Sequence, residues 1–176
     1  MTIKSLDLGC GTTPRNPFNA EEVFGVDIRG SEDKKILIAD LAIDSIPFND
    51  NFFDYCSAYD FIEHIPRVIY IPKRKFAFVD LMSEIYRVLK SGGKFLSVTP
   101  AFPNAPAFRD PTHVNIITDE TFPLYFDNKN CLAKIYGFIG GFEIEAQYWH
   151  KNKIHLVTIL KKPQLPINNT KFKWPN

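Results

Sequence analysis

Two glycines and an aspartate near the start of the chain have the types and spacing of a ligand-binding turn. Gly9 and Gly11 follow an apolar run at residues 5–8, and Asp27 ends the next apolar run. Glycine has no Cβ, so the backbone can turn sharply there and a ligand can approach closely. A carboxylate at the end of the following strand can accept hydrogen bonds from a ribose diol. The pattern predicts a nucleoside-type cofactor, with an ordinary tight turn as the alternative interpretation.

The residues around this turn distinguish between nucleoside cofactors. A dinucleotide site would need a third glycine where the chain has Pro14, which lacks the N–H that a pyrophosphate requires, and Pro17 follows. Asp7, just before the turn, would repel a diphosphate but suits a cationic sulfonium group. These features favour S-adenosylmethionine over a nicotinamide dinucleotide.

Titratable side chains that could act on an acceptor follow the fourth and fifth predicted strands. Methyl transfer from a sulfonium is an in-line displacement, so the protein must align the reacting atoms and take a proton from a hydroxyl acceptor. The available side chains are Asp60, Glu63, His64, Arg109, Asp110 and His113. We predict that His113 is the general base, that Asp110 orients or charges it, and that His64 is a further catalytic candidate.

Structural roles are the alternatives for these side chains. Glu63 and His64 can hold the loop after the fourth strand by hydrogen bonds, and His113 can fix its own loop by bonding to backbone. A divalent metal ion for a diol substrate could also be bound by Asp60, Asp110, His64 and His113. No ligand spacing supports such a site, so the sequence predicts no metal.

Several short motifs occur in an order typical of one protein family. The chain contains Leu6-Asp7-Leu8-Gly9-Cys10-Gly11, Gly25-Val26-Asp27, Ile46-Pro47-Phe48, Phe53-Asp54-Tyr55, Glu63-His64-Ile65 and Ile85-Tyr86-Arg87-Val88-Leu89-Lys90-Ser91-Gly92-Gly93. Over residues 5–100 it resembles the class I S-adenosylmethionine-dependent methyltransferases, in the branch that acts on small molecules. The resemblance implies an α/β, Rossmann-like fold with a seven-stranded sheet of order 3-2-1-4-5-7-6, in which strand seven is antiparallel.

The resemblance also implies where the cofactor binds. It assigns to the cofactor site Asp7, Gly9, Cys10, Gly11, Asp27, Ile28, Asp40, Leu41 and Asp60. Within this set, Asp40 and Leu41 would lie at the adenine end, and Asp60 on the amino-acid or acceptor side. Cys10 is expected mainly to pack.

Apolar patterning indicates the elements that position these residues. Short apolar runs predict strands at residues 5–8, 23–26, 35–38, 55–58, 95–99, 142–148 and 154–160. Helical spacing predicts a helix over residues 76–90, stopped by Ser91-Gly92-Gly93, and another over residues 131–139, capped near Gly140-Gly141. The connections at 12–22 and 28–34 are too short for normal crossover helices, so we expect loops and an unusually open cofactor site.

Length and composition fit one domain. With 176 residues, of which 45% are hydrophobic, the chain can bury one sizeable core. We assign residues 1–162 to a single methyltransferase-like domain and residues 163–176 to a polar tail, whose Phe172 and Trp174 could dock on a surface. A net charge of +1 gives no electrostatic footprint for nucleic acid or a membrane. Three scattered cysteines and the lack of a long apolar run favour the cytoplasm.

Together these features predict a cytoplasmic enzyme that transfers a methyl group from S-adenosylmethionine to a small molecule. Oxygen is favoured over nitrogen as the acceptor atom, and a sugar or nucleotide-sugar is the leading acceptor class. The alternative is a non-catalytic member that binds the cofactor or a partner protein, which the shortened crossovers motivate. The sequence leaves the oligomeric state open.

Overall fold

A seven-stranded sheet forms the centre of the protein. A computed structural model describes residues 2–30, 32–33, 35–70, 72–151 and 153–164. The strands are β1 (Lys4–Leu8), β2 (Glu22–Asp27), β3 (Ile36–Ile38), β4 (Phe53–Tyr59), β5 (Leu89–Pro100), β6 (Glu143–Trp149) and β7 (His155–Lys161). Their order is β3-β2-β1-β4-β5-β7-β6. The first five strands pair in parallel, whereas β7 is antiparallel to β5 and β6, so the expected topology is confirmed.

One long helix, α1 (Ala77–Val88), packs on one face of this sheet. Leu6 and Leu8 of β1 are fully buried in the core, as expected for a central strand flanked by two parallel neighbours. The buried residues of the helix recur at helical intervals and include Phe78, Leu81, Met82, Ile85 and Val88. The apolar stripe seen in the sequence is therefore core, as predicted.

The end of α1 differs from the prediction. The helix stops at Val88, and Leu89 is already extended, with φ −73° and ψ 137°. Ser91-Gly92-Gly93 lie within the span of β5, where the pairing register between β4 and β5 shifts. Gly92 has φ +80° there, a conformation that favours glycine. The glycines therefore serve an irregularity of the strand rather than the helix cap.

Loops replace the first two crossover helices, as predicted. Residues 9–21 and the described part of 28–35 contain turns and bends but no helix. The first loop covers part of the other sheet face, because the Phe18 ring stacks on Tyr55 with 4.3 Å between ring centroids. The Arg15 guanidinium lies 4.8 Å from the centre of the Tyr59 ring. These contacts supply packing that a helix would otherwise provide.

The second predicted helix is short and ends earlier than expected. Residues Leu132–Tyr136 form a 3-10 helix, η2, which ends at Gly137 with φ 97°. Gly140 has a packing role instead of a capping role. A Cβ on it would lie 2.6 Å from both Tyr86 and Phe138, so only glycine permits this close approach.

Three short helical segments near the sheet edge were not predicted. They are η1 (Ile62–His64) after β4, and α2 (Pro106–Arg109) and α3 (Thr121–Tyr125) after β5. Each is too short to be recognised by the periodicity of its apolar residues. They position the side chains that follow the fourth and fifth strands.

One arginine on α1 joins two of the sequence motifs. Arg87 donates hydrogen bonds to the backbone oxygens of Ile46 and Phe48, both at 2.8 Å. It also bonds Asp50 and both carboxylate oxygens of Glu84. The rigid fork of a guanidinium suits such multiple acceptors. The two motifs are therefore parts of one contact, although they lie far apart in the sequence.

The C-terminal tail lies almost entirely outside the described residues. From Leu165 onward, including Phe172 and Trp174, nothing is described, so the docking prediction for the tail stays untested. The single-domain assignment of residues 1–162 likewise stays a prediction. Among the helices of the described part, none has the length and apolar character needed to cross a bilayer.

Candidate active site

The glycine turn forms a shallow cradle at the end of β1. Gly9 and Gly11 have φ of +66° and +61°. The Gly9 N–H donates to the Val26 carbonyl oxygen at 2.8 Å, which ties the turn to β2. A Cβ on Gly9 would lie 2.4 Å from the Phe61 ring. The turn therefore depends on glycine, because the Phe61 ring already packs against Gly9 where a Cβ would lie.

Cys10 fills space inside this turn. Its side chain is buried, and a Cβ on Gly25 would lie 2.4 Å from its sulfur. Burial, followed by the nearby charges of Asp7 and Asp27, raises the pKa of the Cys10 thiol to about 11. The thiol is therefore protonated at neutral pH and packs rather than reacts.

Asp7 holds the loop that follows the turn. Its side chain is 0% exposed. It accepts one hydrogen bond from Ser57 Oγ at 2.7 Å and one from the Arg15 backbone N–H at 2.8 Å. Burial raises the pKa of Asp7, against the lowering effect of these two bonds. Asp7 thus anchors the backbone of the loop that follows the turn.

Asp27 ends β2 beside the turn, at the place predicted for the ribose-binding acid. One carboxylate oxygen accepts the Gly11 N–H at 2.8 Å. The other accepts the backbone N–H and Nε of Arg29, both at 2.9 Å. Burial acts to raise the pKa of Asp27, but the bonds from Arg29 and Gly11 outweigh it, so the pKa lies below its usual range. Asp27 is therefore ionised at neutral pH.

Arg29 is a residue of the site that the sequence analysis missed. Its guanidinium bonds Asp27 although 72% of its side chain is exposed. An exposed arginine of this kind is held weakly and can be displaced by a ligand. The sequence did offer a sign of this role. Arg29 comes two residues after Asp27, the acid that ends β2, and a side chain at that position can fold back onto the carboxylate.

The remaining residues predicted for the cofactor site, among which Asp40 and Leu41 were expected at the adenine end, follow β2 and β3. Ile28 is 64% exposed beside Asp27 and offers an aliphatic surface to a flat ring. Leu41 is buried after β3. Asp40 Oδ1 accepts the Ala42 N–H at 3.1 Å, so the carboxylate is fixed at this edge. The structure therefore brings these side chains to the carboxyl ends of neighbouring strands, as expected.

Asp60 follows β4 and contacts the last strand. It has φ +48°, which is uncommon for a residue with a Cβ. One of its carboxylate oxygens lies 2.8 Å from His155 Nε2. His155 was missed by the sequence analysis. The antiparallel direction of β7 brings its first residue to the edge where the parallel strands end, next to Pro100.

A chain of two hydrogen bonds, from His64 through Thr112 to Asp110, orients the His64 ring. Thr112 Oγ1 donates to Asp110 Oδ1 at 2.7 Å and lies 3.0 Å from His64 Nδ1. Side-chain and backbone hydrogen bonds from Thr112 lower the pKa of Asp110, so this carboxylate is ionised and only accepts. A hydroxyl has one proton, so Thr112 must accept from the Nδ1–H of His64. The lone pair of a neutral His64 therefore lies on Nε2.

His113 packs against His64, with ring centroids 4.8 Å apart in an edge-to-face arrangement. Its Nε2 is 3.9 Å from Asp110 Oδ2, which is too far for a hydrogen bond. Within the described part of the chain, its buried Nδ1 has no hydrogen-bond partner. Asp110 thus orients His64 through Thr112, whereas the sequence analysis assigned it to His113.

Glu63 is a buried carboxyl group in the same cluster. It is 1% exposed, and its Oε2 accepts a hydrogen bond from Thr99 Oγ1 at 2.8 Å. Burial raises the pKa of Glu63. Its backbone oxygen accepts the N–H groups of Val114 and Asn115, both at 3.0 Å. The loop-holding role considered for Glu63 is therefore carried by its backbone.

A cavity of about 330 Å³ has Asn115 in its wall, two residues after His113, but no residue of the cluster lines it. Its wall is mainly aromatic and includes Phe76, Phe78, Tyr125, Phe126 and Tyr136, together with the polar Arg67, Asn115 and Thr121. Arg67 Nε donates to Asn115 Oδ1 at 2.9 Å, and Asn115 Nδ2 donates to the Ile62 carbonyl oxygen at 3.0 Å. Asn115 thus joins the cavity wall to η1 and to the loop that carries His113.

Known proteins share both the sequence pattern and the fold. Residues 6–97, more than half of the chain, match the family described as methyltransferase domain. No curated protein matches the sequence significantly.

Solved structures with similar folds cover most of the chain. A protein from Pyrococcus horikoshii OT3 is 22% identical with a TM-score of 0.62, over 92% of this chain and 82% of that one. A SAM dependent methyltransferase from Archaeoglobus fulgidus is 19% identical with a TM-score of 0.60, over 92% and 86%. The [4+2]-cyclase SpnF is 17% identical with a TM-score of 0.61, over 92% and 75%. At these identities the structures show the fold alone.

The residues of the turn fit the cofactor of the matched family. Gly9 and Gly11 hold the turn in a conformation that favours glycine, Asp27 is an ionised acceptor beside it, and Ile28 offers an exposed apolar surface. S-adenosylmethionine needs these three features for its backbone approach, its ribose diol and its adenine. With a family match over more than half of the sequence, the chain belongs to the methyltransferase domain family and is a class I S-adenosylmethionine-dependent methyltransferase.

Proposed function

We propose that this methyltransferase acts on a small-molecule acceptor, at oxygen rather than nitrogen. The observation that carries the proposal is the Asp110–Thr112–His64 chain, which leaves a lone pair on His64 Nε2. An imidazole with a fixed tautomer can take a proton from a reacting hydroxyl. A hydroxyl acceptor needs this help because an alcohol is a weak nucleophile until its proton is removed.

The chain's own residues would hold the cofactor at the glycine turn. When bound, S-adenosylmethionine supplies a methyl group on a positively charged sulfur. Asp27 would accept hydrogen bonds from the ribose hydroxyls, and Ile28 and Leu41 would flank the adenine with Asp40 at its polar edge. Asp60 would lie on the amino-acid or acceptor side, where its negative charge suits an ammonium group.

The His64–His113 pair would receive the proton of the acceptor. Each turnover adds one methyl group to the acceptor oxygen and releases one proton, which an imidazole can take up and pass to water. His113 lies within ring contact of His64 and is the second imidazole available for this step. Asp110 is a positioning residue, since it acts on His64 through the Thr112 hydroxyl.

The aromatic cavity supports a sugar or nucleotide-sugar as the acceptor class. Aromatic side chains such as Tyr125 and Tyr136 present flat apolar faces against which a sugar or base can pack. Arg67 adds one positive charge to the wall, which suits a phosphate group. We also propose a cytoplasmic location and no nucleic-acid substrate. The net charge of +1 and the three free cysteines support these assignments.

Calorimetry and a methyl-transfer assay would test the proposal in two steps. S-adenosylmethionine and S-adenosylhomocysteine should bind the wild-type protein, and Asp27→Ala should abolish that binding. Labelled methyl groups should then appear on an acceptor in a panel of sugars, nucleotide-sugars, phosphorylated metabolites and amines.

Histidine variants separate binding from chemistry. His64→Ala and His113→Ala should keep cofactor binding and lose about 100-fold or more in turnover, the usual effect of removing a general base. The exposed His150 provides a matched His150→Ala control, which should behave like the wild type. Methylation of amines alone would contradict the oxygen assignment. Cofactor binding without turnover on any acceptor would favour a non-catalytic member of the family.

A further inference from the structure

Three potential metal ligands converge at the edge of the sheet. One ligand atom from each of Glu63, His64 and His113 lies within 4.8 Å of the other two. Glu63 and His64 belong to η1 after β4, whereas His113 comes from the loop after β5. The cluster is therefore assembled by the tertiary fold, and its ligands have no short sequence spacing by which to recognise it.

Two atoms of this cluster are buried without a partner. Among the described residues, neither Glu63 Oε1 nor His113 Nδ1 has a hydrogen bond, and neither contacts solvent. Buried polar atoms in folded proteins are nearly always satisfied, and an exception calls for a ligand, an ion or a water. Glu63 is 1% exposed, so water from the surface does not reach it freely. A single metal ion would satisfy both atoms, because carboxylate oxygens and imidazole nitrogens are both metal ligands.

The supporting hydrogen bonds leave the ligand atoms free. Thr99 Oγ1 holds Glu63 by its Oε2, so Oε1 remains available. The Asp110–Thr112 chain holds His64 by Nδ1, so the Nε2 lone pair remains available. Metal-binding histidines and carboxylates in proteins are commonly oriented in this way, by a second polar group on the atom that does not bind the metal.

The spacing of the three groups is close to that of a metal site. Nitrogen and oxygen ligands lie about 2.0–2.2 Å from a zinc ion, which places two of them about 3.3 Å apart in a tetrahedral site. The separations of up to 4.8 Å are wider than this, so the side chains must rotate inward slightly when an ion binds. Hydrogen bonds within the cluster do not satisfy these groups, because Glu63 Oε1 and His113 Nδ1 are unpaired at the observed spacing.

We propose that Glu63, His64 and His113 bind a divalent transition-metal ion of the zinc type, with an open coordination position for the acceptor oxygen. Two imidazoles and one carboxylate suit zinc better than magnesium, which prefers oxygen ligands and retains water. Three protein ligands leave a fourth position free, as is usual where the ion takes part in catalysis. This proposal rests on the proposed function and departs from the sequence-based prediction of no metal site, which stays untested.

The ion would change the way in which the acceptor is activated. An acceptor hydroxyl bound to the ion has a lowered pKa and loses its proton to water. The acceptor oxygen then forms the new O–CH₃ bond as the C–S bond of the cofactor breaks, and the electron pair of that bond stays on sulfur. In the metal-loaded protein, His64 and His113 are ligands, whereas in the metal-free protein they are available as bases.

Titration with the metal alone tests the site without an acceptor. Chelator-treated protein would be titrated with Zn²⁺ in a calorimeter and with Co²⁺ in a visible absorption assay. We expect one ion per chain and visible Co²⁺ bands of a low-coordinate nitrogen and oxygen site. Glu63→Gln and His113→Ala should each weaken binding by more than about 100-fold, and Thr112→Val by about 10-fold, since Thr112 only orients a ligand.

A matched control is His150→Ala, which removes a histidine outside the cluster and should leave Zn²⁺ affinity unchanged. Absence of Zn²⁺ and Co²⁺ binding, equal loss in His150→Ala, or equal affinity for Mg²⁺ would overturn the proposal. If His113→Ala does not fold, Glu63→Gln gives the same test with a side chain of nearly equal shape.

Activity data then distinguish this proposal from the proposed function. Full turnover in chelated protein that binds no Zn²⁺ would refute the metal site and leave the methyltransferase assignment intact. Tight Zn²⁺ binding with no methylated acceptor would support the metal site and refute the proposed methyl transfer. Turnover that rises with Zn²⁺ occupancy would support both.

Discussion

We expect Arg29 and the cofactor ribose to compete for the carboxylate of Asp27. In the structure, Arg29 Nε lies 2.9 Å from Asp27 Oδ1, and Nη2 lies 3.5 Å from Oδ2. A ribose diol bound at Asp27 would need these same oxygens, since Gly11 takes only one further position. We therefore predict that Arg29→Met strengthens cofactor binding.

The size of this effect follows from the exposure of the pair. The side chain of Arg29 is 72% exposed and that of Asp27 is 6% exposed. Arg29 is largely solvated, so its ion pair with Asp27 is weak and is screened by water. We therefore expect Arg29→Met to raise the affinity by about 5-fold or less. The ligand-free protein should lose little stability, with an unfolding temperature lowered by about 4 °C or less.

Calorimetric titration with S-adenosylhomocysteine measures the prediction directly. Wild type, Arg29→Met and Arg29→Lys would be compared, and the lysine variant should lie in between because it cannot bond Asp27 with a planar fork. Lys129→Met is a matched control, since it removes one exposed positive charge from the loop between α3 and η2. A 10-fold weaker affinity in Arg29→Met would refute the reasoning, because it would mean that Arg29 contacts the cofactor.

Three further predictions concern stability. Gly9→Ala should cost about 2–4 kcal/mol in a urea titration, because alanine is strained at φ +66° and its Cβ would lie 2.4 Å from the Phe61 ring; a loss below 0.5 kcal/mol would contradict the cradle geometry. Arg87→Met should also cost about 2–4 kcal/mol through lost charge-assisted hydrogen bonds, and Arg87→Lys should recover less than half. Burial acts to raise the pKa of Asp54, but bonds from Lys90 and the backbone N–H of Lys4 outweigh it, so the folded pKa lies below the usual value. The stabilisation by Asp54 should therefore be complete above about pH 4 and should fall as pH drops through the lowered folded pKa. Asp54→Asn should cost stability at pH 7 and progressively less toward pH 3.

The positions of the residues proposed for the cofactor could be predicted from the sequence because these residues lie at the ends of strands. Gly9 and Asp27 each lie at the end of a strand, and parallel strands end at the same edge of the sheet. Their juxtaposition therefore follows once the strands are recognised. The Ser91-Gly92-Gly93 segment was misassigned because glycines after an apolar helix can end the helix or allow a strand irregularity. Only the pairing with β4 decides between these.

The proposed acceptor half of the site depends on contacts that no local sequence pattern encodes. Thr112 reaches His64 across a long sequence separation, and His155 at the start of β7 reaches Asp60 after β4 past the intervening strand β5. Both contacts arise because loops and a reversed strand meet at one edge. The unpaired Glu63 Oε1 is likewise a property of burial, which a sequence motif does not show.

The residue at which the family match ends limits what membership of the family says about catalytic activity. The match ends at residue 97, so it includes His64 and every residue proposed for the cofactor, but excludes Thr112 and Asp110, which set the tautomer of His64. Two chains that match the family equally well can therefore differ in whether this imidazole is set for proton transfer. A chimera that exchanges the segment after β5 should exchange acceptor choice and proton-transfer ability, while cofactor affinity stays with the first half of the chain.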